Sequence, residues 1–133
     1  MTVTKQLRAR QIMLEHEHQK IVVAEIRRDF PDVLIFAIPN AGTASPQRGA
    51  RLKEEGLLAG IPDLMIARAS QGKLGLFVEM KSETGSASPE QKKMMAKLQA
   101  EGYAAIVCKG YAAALTAVRA YLGAPVAVER EPL

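Results

Sequence analysis

Tryptophan is absent from this sequence, and aromatic residues together make up only 5% of it. This scarcity argues against a surface that binds single-stranded nucleic acid by stacking bases on aromatic rings. Cysteine occurs once, at Cys108 in an apolar stretch, so no disulfide can form within the chain. The chain is therefore not a disulfide-stabilised scaffold, and a reducing compartment suits it.

Long apolar runs are also absent, since no stretch approaches the roughly 18 residues that a transmembrane helix needs. The basic, polar N-terminus lacks the hydrophobic segment of a secretory signal peptide. We therefore expect no membrane partner and a cytoplasmic location, in a bacterium or in the host cell of a virus. Lys and Arg number 18 against 14 Asp and Glu, and the net charge of +4 favours polyanionic partners.

The 133 residues contain no internal repeat and suffice for one hydrophobic core. We expect a single domain over residues 1–122 and a C-terminal tail over residues 123–133. The apolar periodicity predicts an α/β fold in the order α-β-β-β-α-β-α, with a small mixed central sheet flanked by helices. The predicted helices span residues 5–29, a segment that opens at Ser88, and residues 111–122. The predicted strands span residues 33–38, 64–67, 74–81 and 103–109, and the first of them should be buried on both faces because it is nearly all apolar.

The segment 60–81 predicts two neighbouring strands that bring three charged side chains together. Asp63 follows a proline, which suits the first residue of a strand. Residues two apart in a strand share a face, so Glu79 and Lys81 lie side by side. If residues 69–73 form the turn of a hairpin, Asp63 lies near Glu79, where both apolar runs end.

Such a cluster favours a bound cation. Two carboxylates held close together repel each other unless one keeps its proton or a positive charge intervenes. Mg²⁺ takes oxygen ligands, commonly one or two carboxylates with waters and phosphate oxygens. With the ammonium group of Lys81, these are the parts for metal-assisted hydrolysis of a phosphodiester bond. The alternative is a surface hairpin whose Glu79 and Lys81 are merely exposed.

These residues resemble a nuclease signature. Gly60-Ile61-Pro62-Asp63 and Phe77-Val78-Glu79-Met80-Lys81 resemble the PD-(D/E)xK motif. The flanking segments resemble the VRR-NUC (virus-type replication-repair nuclease) family: Pro39-Asn40-Ala41-Gly42, Leu52-Lys53-Glu54-Glu55-Gly56, Ser88-Pro89-Glu90-Gln91 and Gly102-Tyr103. The resemblance implies a restriction-endonuclease-like fold and a Mg²⁺-dependent, structure-selective DNA nuclease. It also implies a homodimer that acts on branched DNA such as four-way junctions, and Mn²⁺ is expected to substitute for Mg²⁺.

The resemblance also implies roles for single residues. Asp63, Glu79 and the backbone carbonyl of Met80 would bind the metal. Lys81 would position the attacking water or help to deprotonate it. Glu15 and Gln91 would complete the catalytic set.

Glu15 lies on the helical stripe that should face the sheet, whereas Glu17 lies on the opposite side of the predicted helix. Periodicity alone favours the alternative, in which the start of the helix overhangs the edge of the core and Glu15 stays in water. Related nucleases carry an acidic residue in this helix with a Gln four residues on, and Glu15 with Gln19 fits that pattern. This favours Glu15 as a candidate metal ligand.

Gln91 has two candidate roles. Ser88 as N-cap, Pro89 at the first helical position and Gln91 three residues after the cap form a capping-box pattern, which is a structural role. By resemblance, the Gln91 side chain would instead reach toward Lys81 and the attacking water. We expect the two roles to coexist only in part.

The candidate DNA contacts are Asn40, Arg48, Arg51 and Lys53. The two arginines fall in a polar segment, residues 43–51, which we expect to be a phosphate-binding loop, although a solvated loop without a role is the alternative. Relatives often place a Lys or Arg shortly after the glycine of the preceding turn, where this chain has neither. The phosphate contact would then have moved to Arg48 or Arg51, or would be weaker.

His16 and His18 lie two residues apart on a predicted helix, which is not the spacing of a helical zinc site. We expect both side chains to be exposed to solvent.

Two further functions remain open at this point: a nuclease for flap or linear duplex DNA, and a non-cleaving DNA-binding module of the same fold. A non-cleaving module should have lost part of its acidic set, and here Asp63, Glu79 and Lys81 are all present. Branch preference depends on dimer geometry and loop shape, so the sequence does not separate junction from flap or duplex cleavage.

Overall fold

The computed structural model describes residues 3–40, 42 and 44–123, with side chains from residue 15 onward. The helices are α1 (Val3–Asp29), α2 (Pro46–Glu54), α3 (Pro89–Ala100) and α4 (Tyr111–Leu122). The strands are β1 (Ile35–Ala37), β2 (Leu64–Ile66), β3 (Leu76–Lys81) and β4 (Ala104–Lys109). Apart from Gly123, the predicted tail lies outside the described residues. None of the helices described is both long and apolar enough to cross a membrane.

The four strands form one mixed sheet in the order β1-β2-β3-β4. The pairs β1–β2 and β2–β3 are antiparallel, and the pair β3–β4 is parallel. Parallel neighbours need a long crossover connection, and the segment that contains α3 supplies it. The predicted mixed sheet flanked by helices is confirmed.

β2 and β3 form the predicted hairpin, with Leu64 opposite Val78. Beyond the ladder, Ser70 and Lys73 exchange backbone hydrogen bonds of 3.0 and 2.8 Å across a turn. The two central residues of this turn have φ of 50° and 77°, as a type I′ hairpin turn requires. The turn predicted over residues 69–73 is therefore confirmed.

The core lies between one face of the sheet and helices α1 and α4. Val22 and Ile26 of α1 and Ala114 and Val118 of α4 are fully buried. The sheet contributes buried side chains that alternate along its strands, namely Ile35, Leu64, Ile66, Leu76, Val78, Met80 and Cys108. Because side chains alternate between faces, Glu79 points to the other face, where α3 packs against β4.

Helix α2 replaces the loop that we expected over residues 43–51, so the predicted element order lacks one helix. Ser45 is its N-cap, because the hydroxyl oxygen accepts a hydrogen bond from the backbone N–H of Arg48 at 3.2 Å, and Pro46 follows in the first turn. This is the Ser-Pro signal that also opens α3. α2 is short and mostly polar, and it contacts no other helix or strand among the described residues, so we did not recognise it from apolar periodicity.

The prediction that the first strand is buried on both faces is wrong. Ile35 is buried, but Leu34 and Phe36 are 68% and 43% exposed. β1 is the edge strand, and α1 packs against it on one side, whereas α3 contacts β4 and does not extend to β1. The apolar residues of this segment therefore lie on two faces of the strand, one buried and one exposed to solvent.

Candidate active site

Asp63 and Glu79 lie next to each other at one edge of the sheet. Asp63 directly precedes β2, and the pairing of Leu64 with Val78 places it beside Glu79. Its carboxylate is held over β3, because Oδ2 accepts a hydrogen bond from the backbone N–H of Met80 at 2.8 Å. The hairpin thus brings both predicted carboxylates to one place.

Glu79 is almost completely buried, with 3% of its surface exposed. Its Oε1 accepts a hydrogen bond from Nε2 of Gln91 at 2.9 Å and lies 3.4 Å from the ammonium nitrogen of Lys81. Its Oε2 is buried and has no hydrogen-bond partner in the part of the chain that the structure describes. An unsatisfied buried carboxylate oxygen is costly, so this atom requires either a proton or a cation.

The pKa of Glu79 reflects this environment. Burial is the main cause that raises this pKa from its ordinary value to about 7. The negative charge of Asp63 raises it further, whereas the Lys81 ammonium group opposes both effects. Near neutral pH, Glu79 is therefore poised between holding its own proton and holding a metal ion in its place.

These groups open into a cavity of about 420 Å³. Its polar lining includes Glu15, Gln19, Asp63, Glu79, Lys81 and Gln91. Its apolar lining includes the segment 57–61, which precedes Asp63. The cavity therefore joins α1, β3 and α3, and Glu15 lines it together with the two hairpin carboxylates.

Gln91 makes the expected capping contact, and its contact within the site is with Glu79. Its side-chain oxygen accepts a hydrogen bond from the backbone N–H of Ser88 at 2.8 Å, and the Ser88 hydroxyl accepts one from the Gln91 N–H at 3.1 Å. The Gln91 side-chain nitrogen donates to Glu79. The amide uses its oxygen for the cap and its nitrogen for Glu79, so the cap and a contact within the site are formed together. The role of Gln91 toward Lys81 and the attacking water stays a prediction.

The donor set suits a hard divalent cation. No group of three His, Cys, Asp or Glu side chains able to hold a metal occurs among the described residues. Mg²⁺ does not need such a cage, since it commonly keeps several waters beside one or two carboxylates. Asp63 and the unpaired Oε2 of Glu79 can supply those oxygens. Met80 and Glu15 line the cavity as well, and their roles as ligands stay predictions.

The candidate DNA contacts do not all lie at the cavity. Asn40 and Lys53 line it, whereas Arg48 lines an adjoining depression that shares Asn40 with it. Arg51 lies on α2, is exposed and lines neither of the two. The basic side chains of this region belong to a helix, which fixes their spacing more firmly than a loop would.

The two histidines differ in their environment. His16 is exposed and lines the mouth of the cavity. His18 is half-buried: its Nδ1 accepts a hydrogen bond from the backbone N–H of Tyr111 at 3.0 Å, and its ring stacks on the Tyr111 ring at 5.4 Å. The prediction that His18 is exposed is wrong, because α1 packs beside the start of α4, a contact between distant parts of the sequence.

Sequence reasoning also missed the apolar side of the cavity. Leu57 and Leu58 have no chemistry of their own, and the glycines that bracket residues 57–59 suggest only a tight turn. Their position in the sequence could have indicated that they line the site, because a segment that leads directly into Asp63 must lie near the carboxylates.

Comparisons with known proteins identify the family to which the chain belongs. The family model for the VRR-NUC domain matches residues 6–112 of the chain. A solved structure described as a VRR_NUC domain protein superposes with a TM-score of 0.69 at 29% sequence identity, over 82% of this chain and 88% of that chain. A search of curated proteins found no match. Since the family model covers most of the chain and a solved structure of the same kind shares its fold, the chain belongs to the VRR-NUC domain family of PD-(D/E)xK nucleases.

Proposed function

We propose that the chain is a Mg²⁺-dependent, structure-selective endodeoxyribonuclease that hydrolyses phosphodiester bonds in branched DNA. The observation that carries the proposal is the buried Glu79, whose Oε2 has no hydrogen-bond donor among the described residues although Asp63 lies beside it. A cation would satisfy both carboxylates at once. The ammonium group of the nearby Lys81 offsets part of the negative charge of the two carboxylates. The same group would contact the attacking water.

Asp63 and Glu79 would hold the metal, joined by the backbone carbonyl of Met80 and by Glu15. When bound, Mg²⁺ would supply a positive charge for the phosphate oxygens and would lower the pKa of a water. Mn²⁺ takes the same oxygen ligands and would substitute for it. The hydrogen bond from Met80 N–H fixes the orientation of Asp63, so little rearrangement is needed when the metal binds.

Lys81 would orient the attacking water as an ammonium group, or would accept the proton of that water if the amine is neutral when the substrate is bound. Its ammonium nitrogen is held 3.4 Å from Glu79, and its side chain is only 17% exposed, so its position is restricted. Gln91 donates a hydrogen bond to the same oxygen of Glu79, Oε1, at 2.9 Å. These contacts arrange the reacting groups before the substrate arrives, which lowers the entropic part of the barrier.

The surroundings suit a polyanion. Lys53 and Asn40 line the cavity and Arg48 lines the depression next to it, so a DNA backbone that crosses the cavity would meet them. The preference for branched DNA, the homodimeric state, a role in DNA repair and a cytoplasmic location belong to the proposal through the family alone. The intact set Asp63, Glu79 and Lys81 disfavours a non-cleaving module of the same fold.

The test is a cleavage assay on four-way junction, flap, linear duplex and single-stranded DNA of related sequence, with Mg²⁺, Mn²⁺ or EDTA. We expect Mg²⁺-dependent cutting that is fastest on the junction and retained with Mn²⁺. Lys81→Ala should lower kcat by about 100-fold or more, as loss of a group that handles protons does.

Lys73→Ala is the matched control, because Lys73 is an exposed lysine in the turn at the opposite end of the hairpin. It should cut like the wild type. Faster cutting of flap or linear duplex than of junction would assign the other nuclease activity. Binding without cutting in every divalent ion would overturn the proposal in favour of a non-cleaving module.

A further inference from the structure

The cavity has two unlike kinds of lining, and hydrolysis explains only the polar one. The polar lining includes the carboxylates, Lys81 and Gln91. The same cavity is also lined by the segment Leu57-Leu58-Ala59-Gly60-Ile61, which has no ionisable or hydroxyl-bearing side chain. Hydrolysis of a phosphodiester bond needs no apolar lining, so residues 57–61, called the apolar wall below, are available to another part of a bound substrate.

The apolar wall is fixed to the helices on both sides of it. The backbone N–H of Leu57 donates to the carbonyl of Leu52 at 2.9 Å, which ties the start of the wall to α2. Gly60 has φ of +79°, and a Cβ there would lie 3.0 Å from the backbone oxygen of Glu90 in α3. These contacts fix the position of the wall in the cavity, so the wall is not a free loop.

Leu58 is the exposed large side chain of this wall. Its surface is 55% exposed although it lines the cavity. A branched apolar side chain at the rim can pack against the flat face of a base or against a deoxyribose, and apolar side chains of this type are used by other proteins to separate stacked bases. In a continuous duplex, those faces are covered by neighbouring bases.

The volume of the cavity also favours a single nucleotide as the group that binds there. A volume of about 420 Å³ lies in the range of about 300 to 1,000 Å³ that holds one small ligand. One nucleotide can enter, whereas a duplex cannot. A nucleotide that places its phosphate at Glu79 and Lys81 would turn its sugar and base toward the apolar wall.

We propose that the apolar wall, with Leu58 at its rim, holds the unstacked nucleotide next to the scissile phosphate and thereby selects DNA with unstacked bases over continuous duplex. This inference rests on the proposed nuclease function and names the feature of the substrate that the site reads. Branch points and flap junctions present such nucleotides, because their stacking is already interrupted. In a duplex the enzyme must first separate a base from its neighbours, which costs free energy.

The first experiment compares kcat/KM on a four-way junction with kcat/KM on linear duplex of the same sequence. Leu58→Ser should lower the junction-to-duplex ratio by about tenfold, the effect of losing one apolar contact. Leu58→Met keeps an apolar side chain and should retain most of the ratio. Leu74→Ser is the control, since Leu74 is equally exposed at 59% but precedes β3 at the end away from the site, and it should leave the ratio unchanged.

The second experiment measures base unstacking without cleavage. A junction that carries 2-aminopurine beside the branch point is mixed with Lys81→Ala protein, and an increase in fluorescence reports the unstacked base. Adding Leu58→Ser to the Lys81→Ala background should remove most of that increase, while Leu74→Ser should not.

The two experiments separate the two proposals. If the wild type cuts no DNA but the fluorescence change depends on Leu58, the hydrolytic function fails and the role of the wall stands. If Mg²⁺-dependent cutting occurs while Leu58→Ser changes neither the ratio nor the fluorescence, the role of the wall is overturned. An equal loss on junction and duplex would likewise reduce Leu58 to a general packing residue.

Discussion

At the scale of single residues, Glu79 is the buried side chain whose oxygen lacks a hydrogen-bond partner in the part of the chain that the structure describes. The residue is 3% exposed and lies beside Asp63. A group whose pKa is raised by folding favours the folded state most when it is protonated. The pH dependence of stability therefore reports on this one side chain.

We predict that the metal-free protein loses stability as the pH rises from about 5 to 8. The pKa of Glu79 is about 7 in the folded chain against an ordinary value of 4.5, so its contribution is fully present below pH 4.5 and is lost as the pH passes 7. The loss should amount to about 1 to 3 kcal/mol in the free energy of unfolding. Urea unfolding at several pH values in EDTA measures it.

Glu79→Gln should remove this pH dependence, because an amide has no proton to lose. Glu17→Gln is the matched control, since Glu17 lies on the exposed side of α1 with a side chain that is 59% exposed and pairs with Lys20. A pH slope that survives in Glu79→Gln would show that some other group causes it.

We also predict that Mg²⁺ stabilises the protein at pH 8 much more than at pH 5.5. A ligand that binds only the folded state adds about 2.7 kcal/mol at 100 times its Kd. At pH 5.5 the proton on Glu79 competes with the metal, so the increase in Tm should shrink. Thermal unfolding with and without Mg²⁺ measures this, and Glu79→Gln should abolish the increase. An equal rise in Tm at both pH values would place the bound ion elsewhere.

The proximity of Asp63 and Glu79 could be predicted from the sequence because it depends on one local rule. Antiparallel pairing of two adjacent segments fixes which residues meet, and the turn at 69–73 has the residues that a hairpin needs. His18 shows the opposite case. Its contact with Tyr111 depends on how α1 and α4 pack, and nothing in the local sequence encodes that distance.

At the scale of elements, α3 links a structural cap to the site through one side chain. Gln91 closes the capping box with Ser88 and also holds Glu79. The start of α3 and the position of Glu79 are therefore coupled. A variant that breaks only the cap can be distinguished from one that breaks both contacts.

We predict that Ser88→Ala lowers the free energy of unfolding by about 1 kcal/mol, the usual cost of losing an N-cap, with little loss of cleavage. Gln91→Ala should cost a similar amount of stability and should also lower kcat on junction DNA, because Glu79 loses a donor. Chemical denaturation and single-turnover cleavage measure the two effects. Equal kcat losses in both variants would mean that α3 acts only through its fold.

The surroundings of α2 and α3 explain why α3 was predicted from the sequence and α2 was not. α3 and α2 both begin with Ser-Pro and neither has a fully buried residue, but α3 packs against β4, whereas α2 contacts no other helix or strand among the described residues. Periodicity detects helices by their buried stripe, so a helix that packs on nothing can be recognised only by its cap. The burial of β1 was predicted wrongly for a related reason, because the sequence does not show that α3 covers β4 and stops short of β1.

At the scale of the whole molecule, one core positions groups from distant segments. α1 packs Val22 and Ile26 against the sheet and extends past its edge, which places Glu15 at the cavity. The order of strands and the parallel pairing of β3 with β4 follow from the crossover through α3. The overall α/β architecture could be predicted because each of these connections leaves a pattern in the sequence.

A whole-molecule prediction concerns the number of strands that one chain can cut. The cavity has a volume of about 420 Å³ and contains one set of Asp63, Glu79 and Lys81, so under the proposed function one copy acts on one strand at a time. Paired cuts across a four-way junction then require two copies related by a two-fold axis. A plasmid with an extruded cruciform distinguishes the outcomes, since two cuts give linear DNA and one cut gives nicked DNA.

We predict that wild-type protein alone gives mainly linear product, and that a large excess of Lys81→Ala protein shifts the product to nicked DNA. The shift is expected because most wild-type copies would then share a dimer with an inactive partner, which leaves one active cavity per junction. Lys73→Ala in the same excess should leave the linear product unchanged, since its cavity is intact. If Lys81→Ala lowered the rate without changing the ratio of linear to nicked DNA, the two cuts would be independent events by separate copies and the dimer would have no part in the reaction.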